Sequence, residues 1–193
     1  MAYQDDEYYI GRIVEHNDQV AFTHLMHKHQ VMVYNLARRL TRSAADAEEV
    51  AQDTFVKVYR SLGGFRGDSK FTSWLYRITW NLALNKYKRK THIAGSTDEE
   101  NFIEKPDDGT MDVVDRMDQA EKDKYVKKAI ENLDPEDRFI VTLYYNDDQP
   151  VNEIASITEM SESNVKVRLF RARKKIKEYL VGILDEELNL LLE

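Results

Sequence analysis

Residues 161–177 read SESNVKVRLFRARKKIK, and this stretch decides the architecture of the C-terminal part of the chain. Apolar residues recur in it with helical spacing, at Val165, Leu169, Ala172 and Ile176, so they predict one buried stripe on an α-helix. The last twelve residues of the stretch hold seven Lys or Arg and no acid. Since like charges three or four residues apart repel one another on a helix, this composition indicates a polyanion as the partner.

A short helix and a tight turn precede this stretch. Pro150 opens a segment with Ile154 and Ile157 on one side, and the Ser161 side chain can cap the second helix. The arrangement predicts a helix-turn-helix, whose second helix reaches base edges in the major groove while flanking cations neutralise phosphates. The candidate DNA-contacting residues are Ser163, Asn164, Lys166, Val167, Phe170, Arg171 and Lys174, with Arg168 and Lys175 on the flanks. The alternative is an ordinary surface helix with a solvated basic face.

The charges of the chain are segregated along its length. The formal net charge over 193 residues is −7, yet residues 57–90 carry nine Lys or Arg against one acid. Residues 98–123 carry eleven acids against three bases. A polyanion responds to charges within a Debye length of about 8–10 Å, so the basic blocks matter more than the total charge. The acidic segment has the composition of a flexible linker, and it would hide DNA-binding surface by lying against either basic block.

Helical periodicity also dominates the first part of the chain, where four helical patterns follow one another with short connections. The whole pattern predicts an all-α fold of two small helical domains. An N-terminal four-helix bundle is expected over residues 1–90, a flexible acidic linker over residues 91–123 and a helix-turn-helix domain over residues 124–193.

The fourth predicted helix begins near Phe71 and mixes cations, aromatic residues and amides. Its inward stripe is expected to contain Trp74, Leu75, Ile78 and Leu82. Four further residues of this helix are expected to lie off the stripe and to remain available to unpaired bases: Arg77, Trp80, Asn81 and Asn85.

Several function classes find no support in the residues. The chain has no cysteine, which excludes disulfides and thiolate metal sites. His24, His27 and His29 have no carboxylate that completes a ligand set, so neither a metal nor a cofactor is expected. No catalytic constellation is recognisable. The acidic N-terminus and the absence of a long apolar run predict a cytoplasmic protein without membrane contact.

Several short motifs occur together in an order that one known family shares. They read DAEEVAQDTF at residues 46–55, FRGDS at 65–69, WLYRI at 74–78, EIA at 153–155 and NVKVRLFRAR at 164–173. The first three resemble the second conserved region of extracytoplasmic-function sigma factors, a subfamily of the sigma-70 RNA polymerase sigma factors. The last two resemble the fourth region of the same subfamily.

The resemblance implies a non-catalytic factor that binds core RNA polymerase and promoter DNA and directs transcription initiation at specific promoters. It implies that the clamp helices of the largest polymerase subunit bind Asp46, Glu49, Gln52 and Asp53. It assigns the minus-thirty-five duplex to the second helix of the helix-turn-helix. The single-stranded minus-ten element is assigned to Phe65, Arg66, Asp68, Ser69, Lys70, Arg77, Trp80, Asn81 and Asn85. An anti-sigma factor is a further expected partner.

Alternatives remain at three points. The acidic residues of the third helix can equally form a solvated face. A stand-alone helix-turn-helix regulator with a sensing or dimerising bundle would bind its operator without polymerase. The tail, residues 180–193, either caps the second domain or binds a partner. Val167 stands where the family often has a small hydroxyl residue, and valine can contact a thymine methyl group but cannot hydrogen-bond.

Overall fold

The computed structural model describes residues 5–94 and 119–191, and the side chains of residues 5–90 and 123–183. Within these ranges the chain forms helices, a short 3-10 turn and connecting loops, which confirms the all-α prediction with two helical regions. The helices of the N-terminal region are α1 (Asp6–His16), α2 (Gln19–Thr41), α3 (Ala44–Ser61) and α4 (Phe71–Ala94), with the 3-10 turn at Leu62–Gly64. The helices of the C-terminal region are α5 (Gln119–Asn132), α6 (Pro135–Tyr145), α7 (Val151–Thr158) and α8 (Glu162–Leu191).

The predicted linker is only partly covered by these helices. Helix α4 continues to Ala94 and α5 begins at Gln119, so helical structure enters the 91–123 segment from both ends. Residues 95–118, which carry most of the acidic charge, lie outside the described residues, as does any contact they make with the basic blocks.

Side-chain caps fix where the first helices begin. The Asp5 carboxylate accepts a hydrogen bond from the Tyr8 amide at 2.8 Å, and the Asp18 carboxylate accepts one from the Ala21 amide at 3.0 Å. At the start of α3 the Ser43 hydroxyl accepts a hydrogen bond from the backbone amide three residues later. Each cap satisfies a backbone donor that the first helical turn leaves without an intrahelical partner.

One hydrophobic core belongs to the N-terminal region alone and is called the N-terminal core. It lies where α1, the first half of α2, the second half of α3 and the first half of α4 meet. Its buried members are Tyr9, Ile10, Ile13, Ala21, Leu25, Val33, Phe55, Val58, Leu62, Phe71 and Leu75. Burying one such large apolar side chain stabilises the fold by about 1.5–3 kcal/mol, so this core contributes substantially to the packing of the four helices.

A second core joins the two regions and is called the shared core. From the N-terminal region it contains Leu36, Ala37, Leu40, Ala47, Val50, Tyr76, Trp80 and Ala83. From the C-terminal region it contains Leu133, Phe139, Ile140, Val141, Leu143, Ile154, Ala155, Ile157, Val165, Leu169 and Ala172. The helix-turn-helix therefore does not complete its core by itself, because α2 and α4 cover one side of it.

Helix α4 serves both cores because it carries two apolar stripes. Leu75 is fully buried on the predicted stripe, with Trp74 and Ile78 packed at its edge. A second stripe, Tyr76 and Trp80 with Ala83, follows the i, i+4, i+7 spacing and faces the C-terminal region.

Candidate nucleic-acid interface

Helices α7 and α8 form the predicted helix-turn-helix. Glu159 ends α7 in the left-handed conformation, at φ 59°, and the Met160 amide donates to the Ala155 carbonyl at 3.2 Å. The Asn164 amide then donates to the Ser161 hydroxyl at 3.2 Å, which is the predicted cap of α8. Because the turn is closed by these bonds, α8 leaves α7 in a defined direction.

The outward face of α8 is as exposed as the sequence predicts. Val165, the first residue of the predicted buried stripe, is fully buried. On the opposite side Val167 is 45% exposed and Phe170 is 61% exposed, an unusual exposure for a phenylalanine. Of the remaining candidates, Ser163, Asn164, Lys166 and Arg171 are exposed and Lys174 is half-buried. Their assignment as DNA-contacting residues stays a prediction.

Two of the flanking cations have a different role. Arg168 donates to the Glu136 carboxylate at 2.8 Å and to the Asp137 carboxylate at 2.5 Å, while Lys175 pairs with Asp134 at 2.9 Å. All three acids lie at the start of α6, where carboxylates also favour the positive end of the helix dipole. In this arrangement Arg168 and Lys175 hold α8 to α6, so the expectation that they serve as free phosphate-binding flanks is wrong.

The loop at residues 65–70 presents a short polar surface. Phe65 is half-buried, because its ring packs against Phe71 with a centroid distance of 5.8 Å and against Trp74 with one of 5.3 Å. Gly67 adopts a left-handed φ of 76°, a conformation that favours glycine. The other candidate residues of the loop are exposed: Arg66, Asp68, Ser69 and Lys70.

On α4, only part of the expected single-strand surface is accessible. Asn81 and Asn85 are exposed, as predicted. Trp80 is only 1% exposed, and its ring centroid lies 4.5 Å from that of Phe139. The expectation that Trp80 remains outside the core is therefore wrong, because it belongs to the second apolar stripe of α4. Arg77 is half-buried, since its guanidinium donates to both the carbonyl and the hydroxyl of Ser156.

The acidic residues of α3 differ in how far they are exposed and in whether they form ion pairs. Asp46 is 9% exposed and forms ion pairs with Lys90 and Lys86 of α4. The hydrogen bond from Lys90 lowers the pKa of Asp46 below its ordinary value. Glu49 pairs with Lys86 at 2.6 Å while remaining largely exposed. Asp46 thus fastens α3 to α4 and does not lie on a solvated acidic face, while its assignment to polymerase binding stays a prediction.

Gln52 and Asp53 complete the candidate polymerase-binding set on the next turns of α3, and both side chains are exposed. Beside them, α2 and α3 enclose an open groove of about 880 Å³, lined among others by Phe22, Met26 and Tyr59. The groove is mainly apolar, whereas its rim carries polar side chains.

Two of the three histidines of α2 have structural partners. His29 is buried and its Nε2 lies 2.9 Å from the Asp6 carboxylate, while His24 stacks on Tyr9 at a centroid distance of 5.7 Å. Among the described residues, no group of three or more His, Cys, Asp or Glu side chains is placed to hold a metal ion. No helix within the described ranges is long and apolar enough to cross a membrane.

Comparisons with known proteins agree with this geometry. The family model "Sigma-70 region 2" matches residues 25–93, and the model "Sigma-70, region 4" matches residues 123–176. The RNA polymerase sigma-H factor of Pseudomonas aeruginosa is 31% identical over 194 residues, which covers 96% of this chain and all of that protein. The ECF RNA polymerase sigma-E factor of Escherichia coli K12 is 35% identical over 172 residues, covering 84% of this chain and 88% of that protein.

Two solved structures share the fold. CnrH, in complex with the cytosolic domain of CnrY, is similar with a TM-score of 0.63 and 24% identity, over 92% of this chain and 97% of that one. The sigma factor RpoE of Bartonella quintana, in complex with the anti-sigma factor NepR, is similar with a TM-score of 0.58 and 22% identity. That match covers 78% of this chain and 91% of the RpoE chain.

Fold and relatives together define a helical transcription factor built from two regions. The chain belongs to the extracytoplasmic-function subfamily of the sigma-70 factors. It is accordingly a sigma factor, which binds core RNA polymerase and directs transcription initiation at promoters.

Proposed function

We propose that α8 reads the duplex minus-thirty-five element with the exposed face of its first turns. The observation that carries this proposal is the exposure of Val167 and Phe170 next to Arg171 at the start of a capped helix-turn-helix helix. Guanidinium groups pair with guanine edges, and apolar side chains contact thymine methyl groups, so this face suits mixed base readout in the major groove. Lys166 and Lys174 supply charge for the flanking phosphates.

The loop at residues 65–70 and the exposed amides of α4 capture the melted minus-ten element. Arg66 and Lys70 attract the backbone, and the Asn81 and Asn85 amides offer donors and acceptors for the edge of an unstacked base. Asp68 and Ser69 accept or donate hydrogen bonds beside them.

The clamp helices of the largest polymerase subunit bind the exposed side of α3, through Glu49, Gln52 and Asp53. Asp46 supports this surface from below, because its pairs with Lys86 and Lys90 fix the start of α3 against α4. The protein acts in the cytoplasm as a non-catalytic subunit of the holoenzyme. It has an anti-sigma factor as a further partner, by analogy with CnrH and RpoE, whose solved structures contain such partners or their domains.

Run-off transcription with purified core polymerase tests this function. The reaction combines the core enzyme, this chain and a set of promoter fragments, and the start site is mapped for each. A defined start that depends on the added chain is expected. Tight, specific DNA binding by the chain alone, without any promoter-dependent start, would instead indicate a stand-alone regulator.

A further inference from the structure

Two arginines from different helices cap the end of the same helix. The carbonyls of Glu131 and Leu133, at the end of α5, both accept from Arg42, which ends α2, and from Arg138 of α6. Arg42 Nη2 lies 2.7 Å from the Leu133 oxygen and 3.5 Å from the Glu131 oxygen. Arg138 Nη2 lies 3.1 Å and 2.6 Å from the same two oxygens. Since the end of a helix carries about half a negative charge, two full positive charges exceed what it can neutralise.

A third arginine, Arg38, lies one turn before Arg42 on α2. Its guanidinium forms no hydrogen bond or ion pair with any residue that the structure describes. Arg42 uses only Nη2 in the bonds above, so its Nε and Nη1 donors are also open within the described part of the chain. Arg38, Arg42 and Arg138 are called the arginine cluster. Because Arg38 and Arg42 are exposed, the cluster presents unused donors to solvent.

The third member, Arg138, is held in an unfavourable position for a cation. It is only 6% exposed, and its Nε atom is buried without an acceptor among the described residues. Burial, together with the positive charges of Arg42 and Arg38, lowers the pKa of Arg138 to about 10. Attraction to Glu131 and Asp134 opposes this shift, but Asp134 is already paired with a lysine of α8. Three positive charges therefore share one further carboxylate, which leaves the cluster with an excess of positive charge.

We propose that the arginine cluster is a binding site for a compact anion that carries a phosphate or pyrophosphate group. Guanidinium groups match the oxygens of a phosphate with pairs of parallel N–H donors. Arg38 and the open edge of Arg42 contact the ligand, while the buried Arg138 adds positive charge beneath them. No member of the cluster belongs to the candidate DNA or polymerase surfaces, so the site is independent of the proposed function.

The charges beside the cluster favour a compact ligand over duplex DNA. Glu131 and Asp134 are both exposed and act on Arg138 from nearby. Their carboxylates repel a long polyanion that is laid across this side of the molecule. A single phosphate group contacts the arginines without following the surface past these carboxylates. A free phosphate ligand, rather than the DNA backbone, is therefore the expected source of the phosphate group.

Pyrophosphate is the probe for this site, and nuclear magnetic resonance gives a separate readout for each arginine. The Nε–H resonances are followed in the isotope-labelled full-length chain, and Arg38→Lys and Arg42→Lys identify two of them by their disappearance. At an ionic strength of about 0.15 M, pyrophosphate should shift the Arg38 and Arg42 resonances along one saturable curve. Inorganic phosphate carries less charge, so it should need a higher concentration to give the same shifts.

Arg38→Gln removes one arginine of the site without disturbing the fold, because its side chain has no partner among the described residues. It should weaken pyrophosphate binding, followed through the Arg42 resonance, by about tenfold or more, since charge-assisted hydrogen bonds are lost. Arg60→Gln is the matched control, because it removes the same charge from an exposed arginine of α3. It should change the affinity by less than about twofold, since salt screens distant charges. Circular dichroism establishes that both variants are folded.

Three results would overturn the proposal. The first is a titration in which the Arg38 and Arg42 resonances stay unchanged while those of Arg66 or Arg171 shift, because the anion then prefers the candidate DNA surfaces. The second is equal weakening by Arg38→Gln and Arg60→Gln, which would mean a general effect of net charge. The third is that a short duplex of non-promoter sequence shifts the Arg38 and Arg42 resonances at a lower phosphate concentration than pyrophosphate does, because the DNA backbone would then be the ligand.

Discussion

The two candidate DNA surfaces differ in how ready they are to bind. The candidate face of α8 is largely exposed, with Phe170 61% and Val167 45% accessible. The surface formed by the 65–70 loop and α4 is divided, because Asn81 and Asn85 are exposed while Trp80 is 1% exposed. The surface proposed for duplex readout is thus exposed, whereas part of the helix proposed for single-strand readout is buried between the two regions. Trp80 therefore contributes to the packing of the two regions.

Of the variants that test this contrast, Trp80→Ala is expected to have the largest effect. Removing a buried tryptophan from a packed core typically costs 3–5 kcal/mol, so the free energy of unfolding of the isolated chain should fall by about that amount. Urea unfolding followed by circular dichroism measures it. Tyr145→Ala, which truncates an aromatic residue that is 49% exposed at the end of α6, is the control and should cost about 1 kcal/mol or less. Equal, small losses for both variants would show that Trp80 is not packed against Phe139 in solution.

The sequence predicts the helices well because their signals are local. Ser161 caps the helix that it was expected to cap, and the stripe of Val165, Leu169 and Ala172 is buried as its spacing indicates. The packing partner of a stripe is a property of the tertiary structure. Trp80 illustrates this, since its helical position is readable whereas its contact with Phe139 joins residues 59 positions apart.

The same distinction applies to the charged residues. A run of cations predicts a basic face, and α8 has one, yet the pairing of Arg168 with Glu136 and Asp137 depends on how α6 lies across α8. Asp46 is likewise acidic in the motif but paired in the fold, with Lys90 supplied by the end of α4. Residue type therefore predicts which sites are charged, and only the fold determines which charges are free for a ligand.

The exposed face of α8 is tested by Arg171→Ala. If Arg171 reads a base edge, the variant holoenzyme should lose about 1–3 kcal/mol of discrimination at one position of the minus-thirty-five element. Competition binding of holoenzyme to single-base promoter variants measures this preference. Arg173→Ala, another exposed arginine on α8, is the matched control and should weaken all sequences alike, with a smaller salt dependence. A uniform loss for Arg171→Ala as well would remove its assignment as a base reader.

Val167 offers a finer test of the same face. Val167→Ala removes methyl groups that can touch the 5-methyl group of thymine, at about 0.8 kcal/mol for each buried carbon. Replacing each thymine of the minus-thirty-five element by deoxyuridine deletes the methyl group on the DNA side. The wild-type holoenzyme should lose about 1 kcal/mol at one such position, and Val167→Ala should lose almost nothing there. The same loss in both proteins would mean that Val167 touches no thymine methyl group.

The smallest expected effects are changes of folding stability with pH. Their sign differs between the N-terminal core and the interface of the two regions. At the N-terminal core, burial opposes ionisation of Asp6, but hydrogen bonds from His29 and Lys28 outweigh it and lower the pKa of Asp6 below 3.8. At the interface, burial raises the pKa of Asp147 above 3.8 despite the nearby Arg39. The folded state thus favours the ionised form at Asp6 and the neutral form at Asp147.

These pKa shifts predict opposite changes of stability for Asp6→Asn and Asp147→Asn. Ionised Asp6 stabilises the fold above pH 3.8, and this contribution is lost as the pH falls through its folded pKa, so Asp6→Asn should cost about 1 kcal/mol at pH 7 and progressively less as the pH falls below 3.8. Ionised Asp147 is penalised above its raised pKa, so wild-type stability declines as the pH rises through that value. Asp147→Asn should therefore gain up to about 1 kcal/mol at pH 7 and match the wild type near pH 2. Urea unfolding at pH 2–7 measures both differences. A loss of stability at pH 7 in Asp147→Asn would mean that its pairing with Arg39 outweighs the burial of the carboxylate, and the interface would then be held by charge as well as by Trp80.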